Sequence, residues 1–172
     1  MTEDERIAPP QVADERTSLV AYLDSHRATL EWKCSGLTDE QLRQRAVPPS
    51  ALSLLGLVRH LTEVERGWFG TTFARRDMPP LYYSEPDNEN GDFDDLDFPE
   101  VEEVFAVYRA TCAESRKIVE EAGSLDDLGV RGNGTDVTLR WIMLHMLEEY
   151  ARHNGHADLL REQIDGTTGE WN

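Results

Sequence analysis

Four long segments of the 172-residue chain carry apolar side chains at intervals of three and four residues. That spacing puts the apolar groups on one side of an α-helix, and it predicts helices over residues 14–32, 53–75, 99–119 and 138–164. A helix that is apolar on one side must bury that side against other helices. No internal repeat or β-rich stretch interrupts the pattern. The sequence therefore predicts an all-α fold, an up-down four-helix bundle.

The segments outside these helices contain helix-breaking residues. Residues 1–12 are polar, hold two consecutive prolines and are expected to form a flexible arm before a single domain over 13–172. Residues 76–97 contain three prolines and many acids, so they predict a long crossover without regular structure, either a mobile flap or a loop laid across a surface. Its run 92–97 is most simply a solvated acidic loop. Residues 124–137 have room for a short turn or one extended piece.

The charge of the chain excludes several classes of partner. There are 17 Lys and Arg against 34 Asp and Glu, and the net charge of −17 opposes binding to nucleic acid or to an anionic membrane. The longest apolar stretch, near residues 52–58, is too short to span a bilayer. Residues 1–6 do not begin a signal peptide, so a cytoplasmic protein is expected.

Cys34 and Cys112 are expected to be buried free thiols, although a disulfide or a nucleophile remains an alternative.

The last predicted helix carries ionisable groups on a side that is otherwise apolar. Glu149 and His153 lie one helical turn apart, on a side that continues through Met146, and His156 returns to it. Burying a carboxylate and imidazoles costs free energy unless a partner neutralises them. A divalent metal ion is a partner that would make this arrangement favourable.

A further histidine, His60, interrupts the apolar side of the second predicted helix. Facing helices of a bundle project into a shared interior, so His60, Glu149 and His153 together would form a three-ligand metal site with open coordination positions. Two alternatives stay open at this point. His60 could be a hydrogen-bonded core residue, and Glu149 with His153 could be an ordinary surface pair.

The remaining histidines are weaker candidates. His156 is expected to orient a metal ligand or to bond a backbone carbonyl rather than to bind the metal directly. His145 lies about 80° out of phase with His153 and is not predicted as a ligand. His26 is expected in the core or at its rim. The chain has no His-Glu-x-x-His motif, no Gly-x-Ser-x-Gly motif, no phosphate-binding loop and no EF-hand spacing.

Two stretches of the sequence resemble a known superfamily. Leu57–Phe69 resembles the second helix of the DinB-like superfamily, and Leu139–Glu162 resembles its last helix. From about residue 13 the chain is similar to the actinobacterial mini-circle protein branch and to the mycothiol-dependent maleylpyruvate isomerase branch. The resemblance implies a four-helix bundle with a divalent metal held by three side chains.

The resemblance also implies a ligand set and an activity. Many members carry three histidines, whereas the isomerase branch uses His, Glu and His, which matches His60, Glu149 and His153. A carboxylate admits harder cations, so zinc is expected and nickel, manganese, iron and magnesium are alternatives. Superfamily members with assigned activities are transferases or isomerases that use a low-molecular-weight thiol. The implied function is a metal-dependent thiol S-transferase or related hydrolase, acting on a small-molecule substrate.

Several features of this function are left open by the sequence. The loop over 76–97 would close over a substrate. Arg140, Arg152 or Arg161 would hold a carboxylate of the thiol, or would instead pair with surface acids. The family leads us to expect a homodimer. The alternatives are a non-catalytic, stress-associated protein that binds a metal or small ligand, and a structural bundle whose inward polar groups only bond one another.

Overall fold

The computed structural model describes residues 6–97 and 99–169, so residues 1–5 of the predicted arm lie outside it. The helices are α1 (Glu15–Cys34), α2 (Asp39–Arg43), α3 (Leu54–Glu65), α4 (Gly91–Asp94), α5 (Val101–Glu121) and α6 (Leu139–Asp165), and a π-helix (Arg66–Phe73) continues α3. Two short strands, β1 (Leu128–Val130) and β2 (Asp136–Thr138), pair antiparallel. The predicted all-α fold with four long helices is confirmed.

Side-chain caps determine where three of the long helices begin. Asp14, Ser53 and Thr138 each accept a hydrogen bond from the backbone N–H three residues further on, which satisfies a donor that the helix leaves unpaired. At the end of α6, Gly166 adopts a left-handed conformation with φ of 79°. The predicted starts of these helices are therefore correct to within a residue.

The outer helices α1 and α6 run in the same direction. Near the start of both helices, Arg140 donates to Glu15. Near the end of both helices, Lys33 pairs with Asp158. The two helices pack along their whole length, and their shared direction means that the bundle does not alternate strictly up and down.

The other two long helices run opposite to this pair. On α3 and its π-helical continuation, His60 contacts His153 and Trp68 contacts Trp141, which is the order expected for a helix antiparallel to α6. Helix α5 is antiparallel to α1, as shown by the ion pairs Arg109–Glu31 and Arg116–Asp24. The directions are up-down-down-up because the predicted long crossover returns the chain along the bundle between α3 and α5.

The second predicted helix differs from the structure in its last turns. The expected α-helix over residues 53–75 is α-helical to Glu65 and then widens into the π-helix. Widened turns of this kind are frequently found at functional sites. The segment contains Gly67 and Gly70, and glycine is among the residues that disfavour a regular α-helix. Gly70 also leaves room for Met78 of the crossover, whose Sδ would lie 2.1 Å from a Cβ at that position.

The crossover lies against the bundle. Of the two predicted alternatives, a mobile flap or a loop laid across a surface, the structure shows the second. Arg59 donates hydrogen bonds to the carbonyls of Gly91 and Asp95, and Glu63 accepts from the backbone N–H groups of Leu81 and Tyr82. The segment also contains the single turn of α4, contrary to the prediction that it has no regular element. Charged side chains of α3 thus bond its backbone at both ends.

Two further predictions can be compared with the structure. The predicted turn or extended piece over 124–137 is a small hairpin formed by β1 and β2. Cys34 and Cys112 are buried free thiols, as expected, and burial raises the pKa of each to about 12. Within residues 6–97 and 99–169, no helix is long and apolar enough to cross a membrane.

Candidate metal centre

The three predicted ligands come together between α3 and α6. One ligand atom from each of His60, Glu149 and His153 lies within 4.8 Å of the others. Nε2 of His153 is 3.3 Å from Oε2 of Glu149, and the rings of His60 and His153 have centroids 4.7 Å apart. The antiparallel packing of α3 on α6 produces this arrangement, because it brings the middle of one helix against the middle of the other.

The cluster is partly exposed rather than sealed in the core. The side chain of His153 is 10% exposed, that of Glu149 15% and that of His60 26%. His60 lines a cleft of about 630 Å³ between the π-helix, the crossover and the hairpin. A molecule in that cleft can therefore approach the cluster from the side of His60.

Asp92 fixes the orientation of His60, and the sequence analysis missed it. Its Oδ2 lies 2.8 Å from Nδ1 of His60, and the residue is only 6% exposed. The interpretation of 92–97 as a solvated acidic loop is therefore wrong for Asp92, because the turn of α4 directs this carboxylate inward. When Nδ1–H of His60 donates a hydrogen bond to this carboxylate, the lone pair of Nε2 points away from it and is available for a metal.

His156 lies behind His153 in a corresponding position. The two Nδ1 atoms are 3.3 Å apart, which leaves Nε2 of His153 directed toward Glu149. Burial, together with smaller contributions from the neighbouring His60 and His156, lowers the pKa of His153 to about 4. The His153 ring is thus neutral at pH 7, the form that binds metals. His156 contacts the candidate ligand His153 and is not itself part of the cluster.

The other two histidines differ in their relation to the cluster. His145 was predicted to face away, yet its Nε2 lies 3.6 Å from Oε1 of Glu149, and its ring stacks on Trp141 at 5.0 Å. The long side chains of the helix bridge the angular separation that the spacing implies. His26 bonds Asn154 at the rim of the core, and desolvation lowers its pKa.

The arginines proposed to hold a thiol carboxylate are all paired with acids of the protein. The pairs are Arg140 with Glu15 and Asp126, Arg152 with Glu148, and Arg161 with Asp165. The second of the two predicted alternatives, pairing with surface acids, is the one found in the structure.

The chemistry of the donors fits a divalent metal. Two imidazoles and one carboxylate are a common ligand set for catalytic zinc and also suit other divalent transition metals. Asp92 and His156 orient the two rings from behind, as partners of metal-binding histidines usually do. Of the three candidate ligands His60 lines the cleft, so an exogenous ligand in the cleft would have access to the cluster from that side.

A second inward-facing polar cluster, centred on Glu65, was missed by the sequence analysis because no short motif marks it. Glu65 is fully buried, and both of its oxygens bond Arg27 at 2.7 and 2.8 Å. The hydroxyl of Tyr150 donates to the same carboxylate at 2.9 Å and lies 3.1 Å from the hydroxyl of Tyr108. Burial raises the pKa of both tyrosines, so they stay protonated. The position of Glu65, four residues after Leu61, was the available signal.

The helical bundle with this cluster on facing helices defines a protein of the DinB-like class, as the resemblance implied. The family model described as Mycothiol-S-transferase matches residues 18–166, and the chain belongs to that family. No curated protein matches the chain.

Proposed function

We propose that this protein is a metal-dependent thiol S-transferase that transfers a low-molecular-weight thiol such as mycothiol to a small electrophilic substrate. The observation that carries the proposal is the cluster of His60, Glu149 and His153, whose donors converge beside an open cleft. Membership of the Mycothiol-S-transferase family supports the choice of a thiol as the nucleophile.

His60, Glu149 and His153 would hold the metal. A divalent ion in this position would lower the pKa of a coordinated thiol or water and so supply a nucleophile at neutral pH. The protein's own groups set up that chemistry. Asp92 and His156 contact the Nδ1 atoms of His60 and His153, which leaves the Nε2 lone pairs of both rings available to the metal. Glu149 contributes a negative charge that reduces the net positive charge of the loaded site compared with a third imidazole.

The crossover would control access to the site. Met78 and Tyr83 line the cleft together with His60, and Glu63 holds the backbone beside them. A segment that covers a reacting centre excludes bulk water and protects a thiolate from protonation. Water bound in place of the thiol would instead give a hydrolase, which is the related activity that the same donors support.

The proposal is tested by metal content and by thiol transfer in parallel. Protein purified without chelator should contain about one divalent metal per chain, with zinc as the expected ion, and His60→Ala should lose it. His26→Ala is the matched control, because His26 is a partly buried histidine outside the cluster, and this variant should keep the metal.

The outcomes of this experiment are distinct. If His60→Ala retains both its metal and thiol-transfer activity, the proposed site is wrong. Metal binding without turnover across a panel of low-molecular-weight thiols would instead favour the non-catalytic metal-binding protein and contradict the transferase.

A further inference from the structure

Arg131 is a cation in the cleft for which the described part of the chain supplies no acidic partner. Two arginines line the cleft. Arg66 donates to the carbonyl of Pro79 and lies near Glu63. The guanidinium of Arg131 pairs with no carboxylate among residues 6–97 and 99–169, and it lies over the ring of Trp68 at 5.4 Å from the centroid. In a chain with twice as many acids as bases, a cation left in this state is available to a ligand.

The backbone of Arg131 is held in place by the hairpin. Its N–H donates to the carbonyl of Thr135 at 2.9 Å, and its carbonyl accepts from Gly134 at 2.8 Å. At Gly129, two residues earlier, a Cβ would lie 2.7 Å from the carbonyl oxygen of Thr72, so the strand packs directly on the π-helix. The guanidinium is therefore positioned at the cleft by a tight turn and by the face of an indole ring.

A series of side-chain contacts connects Arg131 with the candidate metal cluster. The ring of Trp68 contacts that of His145 with centroids 4.7 Å apart. His145 in turn lies 3.6 Å from Glu149. Arg131 and the candidate ligand His60 also line the same cleft. One small molecule can thus place a reacting atom at the cluster while an anionic group reaches Arg131.

Most acids of the cleft are already engaged. Asp92 bonds His60, and Glu63 accepts two backbone N–H groups of the crossover. Glu89 is the remaining acid of the lining, and it is exposed. We propose that Arg131 is the residue that binds the carboxylate of the reacting small molecule. That the bound molecule reacts rests on the proposed function, whereas the binding of its carboxylate to Arg131 does not.

The carboxylate could belong to the thiol or to its electrophilic partner, and two titrations separate these sources. In the first, zinc-loaded protein is titrated by calorimetry with N-acetylcysteine and with its neutral amide. In the second, the site is first saturated with the neutral thiol N-acetylcysteamine, and benzoate is compared with benzamide. A charge-assisted hydrogen bond to arginine should favour the acid over the amide by about ten-fold in one of the two titrations.

Two variants identify the residue responsible. Arg131→Gln should abolish the preference for the acid and leave the zinc content unchanged. Arg75→Gln removes the same charge from an exposed arginine that does not line the cleft, and it should keep the preference. Loss in the first titration assigns the carboxylate to the thiol, and loss in the second assigns it to the electrophile.

Three results would overturn the inference: no preference in the wild type, an unchanged preference in Arg131→Gln, or equal losses in both variants. An unchanged preference would mean that the acid binds elsewhere, for instance to the metal. If the wild-type protein takes up no zinc, the proposed function fails, whereas the acid-amide comparison can still be made on the metal-free protein and still tests Arg131.

Discussion

Two inward polar clusters on the same helices have different partners. Around Glu65, the carboxylate is bonded by Arg27 and Tyr150, and all three side chains are buried. Around His60 and His153, two imidazoles and one carboxylate converge, and no lysine or arginine of residues 6–97 and 99–169 pairs with Glu149. The first cluster satisfies itself and serves the fold. The second cluster is the candidate metal site.

The contrast shows which polar groups in a bundle indicate function. A buried charge whose oxygens are all bonded by the protein has no remaining capacity for a ligand. A donor that is oriented from behind, as Asp92 orients His60, keeps its lone pair free on the other side. The two clusters therefore differ both in burial and in whether the protein itself uses the lone pairs of their donors.

The largest expected effect comes from breaking the self-satisfied cluster. Glu65→Ala leaves the Arg27 guanidinium buried and unpaired, which should lower the free energy of unfolding by about 3–5 kcal/mol in urea denaturation. The exposed ion pair between Glu31 and Arg109 provides the control, because Glu31→Ala should cost less than about 1 kcal/mol.

A double variant tests the reason for that loss. Replacing both members, Arg27→Met with Glu65→Leu, removes the unpaired charge and should recover most of the stability. If Glu65→Ala is no more harmful than Glu31→Ala, or if the double variant is as unstable as Glu65→Ala, then the buried pair is not what distinguishes this cluster.

The next effect concerns metal affinity rather than the fold. Asp92→Asn keeps the shape of the side chain but replaces the carboxylate that orients His60, and it should weaken zinc binding by about 10–100-fold in a chelator competition. Asp94→Asn is the control, since Asp94 lies in the same turn but is half exposed and pairs with Arg45. Equal zinc affinity in the two variants would contradict a role for Asp92 in orienting the ligand.

The sequence predicted the helices and the cluster for the same physical reason. Apolar residues at helical spacing gave α1, α3, α5 and α6, and the polar interruptions at His60, Glu149 and His153 gave three residues that the structure brings together. Local chemistry was sufficient because each of these signals lies within a single helix, and only the pairing of two helices had to be assumed.

The contacts that the sequence did not predict depend on the crossover and on helix direction. Asp92 lies 32 positions after His60 and reaches it only because the chain between them folds back, and no spacing rule connects the two. The directions of α5 and α6 likewise depend on the path of the crossover. Glu65 was missed for another reason. Its charge suggested a side chain exposed to solvent, although its position on the helix places it on the buried side.

The smallest expected effect is a difference in acid sensitivity between the two clusters. In the metal-free protein the pKa of His153 is lowered from 6.5 to about 4 by burial and by its histidine neighbours. Between these values the unfolded chain binds a proton that the folded chain does not, so stability should fall as the pH decreases through this window and the loss should be complete below about pH 4. Solvent reaches part of the ring, so we expect a loss of about 1–2 kcal/mol rather than the full value of the shift.

Denaturation of chelator-treated protein at a series of pH values measures this loss. His153→Gln should flatten the dependence between pH 6.5 and 4, because the variant has no imidazole to protonate at that position. His26 also has a pKa lowered by desolvation, so a residual slope should remain and should disappear when His26→Gln is added. A dependence that is unchanged in His153→Gln would show that the ring is not held neutral by the fold. The cluster would then lack the preorganised donor on which its contrast with the Glu65 cluster depends.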